Sequence, residues 1–279
     1  MRVLVATDGS EQAGAATEWL LTFPLPRSST VRVFAVAPLT RALPAELETH
    51  RRRLYEHTGL VASEARHMLV RRWADVEERV AEGDAREEIV RMAGDWPADL
   101  VVLGARGLRP LQRALLGSVS TAVVHHVPCP VLVVRGRRHG LRTVVLGVDG
   151  SPDSLGAAAF LGSLPLEPGL RLTLVGAVVP PPVLPAAELA TGPLFLDEAL
   201  TRWQAEAERA LDGVGASFKA ETASIERRIP IGQAGEQIVS IGNAVGADLI
   251  AVGARGHGAF KRLLLGSCLL YTSPSPRDS

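Results

Sequence analysis

One pattern occurs twice along this chain, and that repeat limits the fold more than any other feature of the sequence. Val3-Leu4-Val5-Ala6-Thr7-Asp8-Gly9-Ser10 returns as Val144-Val145-Leu146-Gly147-Val148-Asp149-Gly150-Ser151. Ala98-Asp99-Leu100-Val101-Val102-Leu103-Gly104-Ala105-Arg106-Gly107 returns as Ala247-Asp248-Leu249-Ile250-Ala251-Val252-Gly253-Ala254-Arg255-Gly256. The offset is 141 from Asp8 to Asp149 and 149 from Gly104 to Gly253, so the second copy carries eight extra residues. The Pro-rich stretch Pro180–Pro193 is the expected place, because loops absorb insertions most easily. A period this long means duplicated domains and not a solenoid. The expected division is residues 1–135 and 142–267, joined by a polar linker at 136–141.

A length of 279 residues allows two domains of ordinary size, and 47% hydrophobic content supplies a core for each. Aromatic residues are only 4%, and Val, Leu, Ala and Ile dominate, which suits buried parallel strands under Ala-rich helices. In copy one, strands read at Arg2–Ala6, Thr30–Val36, Val76–Val80, Asp99–Leu103 and Val131–Val134. Helices read from Ser10 to about Phe23, Glu46 to about Arg71, Ala85 to Ala93 and Ser118 to about His126. Strands alternating with helices predict an open, parallel, doubly wound α/β sheet in each copy.

Thirty basic residues balance thirty acidic ones, so no global field draws the chain to nucleic acid or to a membrane. Two cysteines make no pairing framework. The N-terminal apolar run is too short for a signal peptide, and the stretch Leu172–Ala187 is broken by four prolines. The expectation is a soluble cytoplasmic protein. Copy two stops matching after Gly266-Ser267. Cys268–Ser279 holds Pro274 and Pro276 and reads as a non-native, disordered tail, leaving the second copy without its last helix and strand.

The chemistry is concentrated in a glycine pattern. Gly104-x2-Gly107-x9-Gly117-Ser118 follows a strand and leads into a helix, and Gly253-x2-Gly256-x9-Gly266-Ser267 repeats it. Glycines there let backbone approach a ligand without a Cβ in the way, while a helix N-terminus attracts phosphate oxygens. Ser118 and Ser267 add hydroxyl donors, and Arg106 and Arg255 add charge within the loop. No Gly-Lys-Ser/Thr follows, so this is not a P-loop, and the dinucleotide fingerprint is missing its last glycine. Asp8 and Asp149 end the first strand of each copy, where ligands of open parallel sheets bind. A carboxylate there accepts hydrogen bonds from ribose, and it also caps the following helix. The backbone of Val36, and of Val178 in copy two, is placed to meet an adenine edge.

These residues resemble the universal stress protein family in its two-domain form. The Thr/Val-Asp-Gly-Ser segment, the Asp-Leu-Val/Ile strand and the Gly-x2-Gly-x9-Gly-Ser loop carry the likeness over about residues 1–135 and 142–267. The resemblance implies a five-stranded sheet in the order 3-2-1-4-5, like the adenine nucleotide alpha hydrolases, and pairing of domains or a homodimer, often through the fifth strand. The third strand is then a border strand, so Glu77, Glu78 and Arg79, matched by Glu226, Arg227 and Arg228, read as a solvated edge. The glycine motif resembles that of the ATP-binding branch, so the implied ligand is ATP, with magnesium, and the implied role is a stress-response sensor or regulator. The nucleotide-binding set so implied is Thr7, Asp8, Val36, Gly104, Arg106, Gly107, Gly117, Ser118, Val119 and Ser120. In copy two it is Val148, Asp149, Val178, Gly253, Arg255, Gly256, Gly266 and Ser267. Copy one is expected to be the dependable site.

No nucleophile–base–acid set recurs between the copies. If ATP is hydrolysed, Asp8 or Asp149 with a bound metal are the candidates, and slow or absent turnover is expected. The alternatives are a slow ATP hydrolase and an interaction module with a vestigial nucleotide site. His125, His126 and Cys129 crowd together without a third or fourth partner of matching spacing, so they read as a helix end and strand entry and not a metal site. Trp73 and Trp203 are expected to pack and not to stack on a base.

Overall fold

The computed structural model describes residues 1–38, 46–105, 117–136, 140–179, 193–219 and 223–255. The chain divides into two compact units at Gly140 and Leu141. Arg106, Gly107, Gly256, Gly266, Ser267 and the Cys268–Ser279 tail lie outside the described residues.

Unit one runs β1 Arg2–Ala6, α1 Glu11–Leu20, β2 Thr30–Pro38, α2 Glu46–Leu69, β3 Val76–Gly83, α3 Ala85–Asp95, β4 Leu100–Gly104, α4 Ser118–His126 and β5 Val131–Val134. All five strands are parallel, in the order β3-β2-β1-β4-β5. The central strand has Val3, Leu4 and Val5 wholly buried, as an uninterrupted apolar run demands when helices cover both faces. One face packs Leu4, Ala6, Phe34, Val101 and Leu103 against Ile89 and Ala93 of α3 and Val123 of α4. Val3 and Val5 point the other way, toward the layer of α1 and α2. Ala13, Ala15 and Ala16 of α1 are buried, and these small side chains let the helix lie close to the sheet.

Unit two runs β6 Thr143–Gly147, α5 Pro152–Ser163, β7 Leu170–Val175, α6 Pro193–Gly215, β8 Ala223–Arg228, α7 Ala234–Ala244 and β9 Leu249–Ala251. Its described strands form a parallel sheet in the order β8-β7-β6-β9, which matches the first four strands of unit one. The strand registers locate the insertion. Ala6 pairs with Phe34 as Gly147 pairs with Val175, an offset of 141, whereas Val31 pairs with Val76 as Leu172 pairs with Ile225, an offset of 149 at β8. The eight extra residues therefore enter between β7 and β8.

The repeated Ala-Asp-Leu segment has a structural task at the amino ends of the strands. Arg2 N donates to Asp99 Oδ2 at 2.7 Å, and Arg142 N and Thr143 N both donate to Asp248 Oδ2 at 3.0 Å. Each aspartate ties the start of the first strand to the entry of the fourth, at the end of the sheet away from the glycines.

Edge strand β3 is charged, but of Glu77, Glu78 and Arg79 only Arg79 is exposed, so the solvated edge expected there is partly covered. Glu77 pairs with Arg32 at 2.6 Å, and the Arg32 guanidinium lies 4.3 Å from the Trp96 ring centroid. In unit two Glu226 pairs with Arg228 at 2.8 Å. Trp73 packs: its ring is 1% exposed and its Nε1 donates to Pro26 O at 3.1 Å. Among the described residues no helix is long and apolar enough to cross a membrane.

Candidate functional site

At the carboxyl end of β1 the chain makes a turn that both units share. Thr7 N donates to Phe34 O at 3.0 Å, the last rung between β1 and β2. Asp8 Oδ1 accepts from Ser10 N at 3.0 Å, Gly9 takes φ +76°, and Ser10 Oγ accepts from Ala13 N at 3.3 Å to cap α1. Only glycine adopts that φ without strain. In unit two Val148 N donates to Val175 O at 2.9 Å, Asp149 Oδ1 accepts from Ser151 N at 3.0 Å, and Gly150 takes φ +77°. Asp8 and Asp149 thus shape the turn, and both remain exposed at the mouth of the sheet. Thr7 is buried, and its hydroxyl accepts from Gly9 N at 3.3 Å.

The strand-end glycines serve the fold directly. A Cβ on Gly104 would stand 2.7 Å from Gln12 C and 2.8 Å from Ala13 N, and one on Gly253 would stand 2.6 Å from Ser154 N. These glycines let the first turn of α1 or α5 rest on the end of the fourth strand.

Gly117 does something different. Its N–H donates to Ala105 O at 2.7 Å, closing the loop back onto the end of β4. It is the N-cap of α4 at φ −71°, and among the described residues no side chain caps that helix. The first N–H groups of α4 therefore face the crevice with no side-chain acceptor among the described residues. Ser118 is exposed at this terminus. Ser120 is 2% exposed, and its Oγ lies 3.0 Å from both Ala105 O and Gly117 O, so it holds the loop ends together. The Val119 side chain packs on the core under α3 and α4, leaving its backbone toward the helix terminus.

Successive residues of a parallel strand turn their N–H and C=O groups to alternate neighbours. Phe34 faces β1, so Val36 also faces that side, beyond Ala6 where β1 has ended. Both polar groups of Val36 are thus directed into the crevice, as the sequence reading required. Val178 is a correction. Its N–H donates to Pro230 O and its carbonyl accepts from Gly232 N, both at 2.9 Å, so it faces the β8 side. At an offset of 141 the counterpart of Val36 is Ala177, and burial agrees: Ala177 is half-buried like Val36, while Val178 is buried like Ala37. Holding the offset constant through β7 would have found it.

In unit two the loop begins with a contact that the sequence reading did not include. Arg255 Nε donates to Asp153 Oδ2 at 3.1 Å, and Ser151 Oγ donates to Arg255 O at 3.2 Å. Asp153 stands in the first turn of α5, where unit one has Gln12, whose Oε1 accepts from Gly136 N at 3.2 Å.

His125 and His126 occupy the last turn of α4 with ring centroids 5.9 Å apart. The half-buried Cys129 thiol is pushed up to about 11, by burial first and then by Asp99, so it stays protonated at neutral pH. Among the described residues no three His, Cys, Asp or Glu side chains gather as metal ligands.

These features define a duplicated, doubly wound α/β protein whose crevice opens where the strand order reverses, between β1 and β4. A family model for the universal stress protein family matches residues 1–135 and again 140–271, and the chain belongs to that family. A universal stress protein of Mycolicibacterium smegmatis is 30% identical over 288 residues, covering 95% of this chain and 90% of its own length. Another, from the cyanobacterium Synechocystis, is 34% identical over 152 residues, covering 48% of this chain and 97% of its own length, so it matches one unit. The crystal structure of a universal stress protein from Archaeoglobus fulgidus superposes with a TM-score of 0.64 at 19% identity, covering 96% of this chain and 90% of that one, and shares the two-unit fold.

Proposed function

We propose that the protein binds ATP, with magnesium on the phosphates, in the crevice of unit one and acts as a regulator in the stress response. The observation that carries this reading is the pair of backbone surfaces facing each other across the ends of β1 and β4. On one side Val36 presents both a donor and an acceptor, the complement of an adenine edge. On the other, α4 presents N–H groups that no described side chain caps, held in place by the Gly117–Ala105 bond, and these suit phosphate. Asp8 lies between them as an acceptor for ribose hydroxyls. Ser118 adds a hydroxyl donor at the phosphate end, and Arg106 is assigned to phosphate by its place in the motif. In unit two the corresponding groups are Ala177, Asp149 and Arg255.

ATP titrated into the full chain with magnesium in a calorimeter is expected to bind, with mass analysis of gently purified protein finding an adenine nucleotide. No heat of binding and no co-purified nucleotide would overturn the proposal. Phosphate release is expected well below about 1 per second, the low end of ordinary enzyme turnover.

A further inference from the structure

The stretch of chain that leads out of unit one begins where β5 ends. Ala105 N donates to Val134 O at 2.8 Å, the last rung on that strand. Beyond it the main chain turns polar groups to α1. Gly136 N donates to Gln12 Oε1 at 3.2 Å, Gly140 N donates to Thr22 Oγ1 at 3.0 Å, and Gly140 O accepts from Trp19 Nε1 at 3.2 Å. These partners stand at the two ends of α1, Gln12 in its first turn and Trp19 and Thr22 at its close. Gln12 and Trp19 are about 10 Å apart along the helix axis. The chain from Gly136 to Gly140 reaches at most about 14 Å, so it can join the two ends with little slack.

The anchors are themselves held. Trp19 is 3% exposed and meets Phe23 edge-on with ring centroids 5.1 Å apart, which fixes the direction of its indole N–H. The Arg72 guanidinium donates to the carbonyls of Leu20, Leu21 and Leu25 and so holds the turn that carries Thr22. Gln12 is held by the close packing of its backbone on Gly104. Past the boundary, Arg142 N donates to Asp248 Oδ2 at 3.0 Å, so the chain is tied into unit two from there. One residue, Leu141, stands between the anchor in unit one and the anchor in unit two.

We propose that the stretch from Gly136 to Gly140 is a strap, latched onto α1 at its two ends, that sets the length of the tether between the units. While it is latched, the tether is Leu141. When it is released, the tether is residues 136–141, with a reach of about 20 Å. The latch is modest. Each hydrogen bond shifts an equilibrium about two- to tenfold and works against the entropy of fixing the backbone, so the released state lies within thermal reach.

The experiment uses the full chain and follows hydrogen exchange at single N–H groups by NMR. Thr22→Val removes the acceptor for Gly140 N, and Gln12→Met removes the acceptor for Gly136 N, each with little change in volume. A strap that docks as a unit should exchange about two- to tenfold faster at both Gly136 and Gly140 in either variant, with the Trp19 indole N–H following. Thr22→Ser and Gln12→Glu keep an acceptor and should restore protection. The buried strand residues Val5 and Val102 should exchange as in the wild type. Tether length is read as the spread of distances between spin labels at Arg53→Cys and Arg209→Cys, both exposed positions, with Cys129→Ala and Cys268→Ala. In the double variant Gln12→Met/Thr22→Val that spread should widen toward the ~13 Å root-mean-square reach of six free residues. Unchanged exchange, or faster exchange confined to the glycine that lost its partner, overturns the proposal. Faster exchange at Val5 and Val102 as well assigns Gln12 and Thr22 to the stability of unit one and overturns it too. An unchanged spread of distances in the double variant does the same.

Discussion

Gly104 and the backbone of Gln12 approach so closely that a β-carbon at position 104 would stand 2.7 Å from the Gln12 carbonyl carbon. Real side chains do not tolerate that distance, and the obstacle is helix backbone, which cannot swing aside. The glycine of the strand end is therefore required for the packing of α1 on β4 before any ligand is considered. Loss of binding on substitution at Gly104 would not by itself identify a phosphate contact.

Gly104→Val is expected to destabilise unit one by about 1–3 kcal/mol, the ordinary cost of forcing atoms into a packed contact. Urea unfolding measures this directly. Wild-type stability in the variant would contradict the packing role.

Gly117→Asp should behave in the opposite way. Any residue adopts φ −71°, and Asp is at least as good an N-cap as Gly, so stability should change by only a few tenths of a kcal/mol. The new carboxylate would engage the N–H groups of α4 that the proposal assigns to phosphate. Melting curves should overlay while ATP binding at unit one falls by more than tenfold.

Asp84 caps α3, accepting from Arg86 N at 2.9 Å. Hydrogen bonds from the Arg86 side chain first, and then from its backbone, lower the carboxyl to about 2. A depressed folded-state value stabilises the fold above the unfolded value near 4, and this contribution is lost as pH falls toward 2. Asp84→Ala should cost about 1 kcal/mol at neutral pH, and the gap to wild type should close at pH 2. A gap that persists in acid would show that the charged form is not what caps the helix.

Cys129 has the reverse sign. The folded state keeps the thiol protonated to about 11, while an unfolded thiol ionises from about 8.5. The unfolded state thus loses its proton first, and stability should fall as pH rises between these values. Cys129→Ala should flatten that slope. Peptide mapping after iodoacetamide treatment at pH 8 should find Cys129 in the native protein largely unmodified.

Much of the architecture was legible because buried parallel strands announce themselves as short apolar runs. The limits of α4 and β5 agree with the sequence reading to the residue, and Ser10 caps α1 as expected. Strand ends were less legible. β2 continues to Pro38, beyond Val36, because its pairing with β3 holds to Gly83. Asp8 stands at the carboxyl end of β1 and the backbone of Val36 is turned to the β1 side, the positions that the sequence reading gave them. That reading failed at Val178, because a slip of one residue turns the backbone from the crevice to the neighbouring strand.

The sequence by itself determined the duplication, the α/β class and the family. All of these follow from local pattern and spacing, which a linear reading contains. Only the tertiary structure decided that Ala177 and not Val178 faces the crevice, that Gly104 is needed by Gln12, and that Arg255 is held by Asp153. Each of those depends on which atoms meet across segments far apart in the chain. Distance in space, and not order in sequence, determines whether a glycine makes room for a helix and whether an arginine is already engaged by a carboxylate.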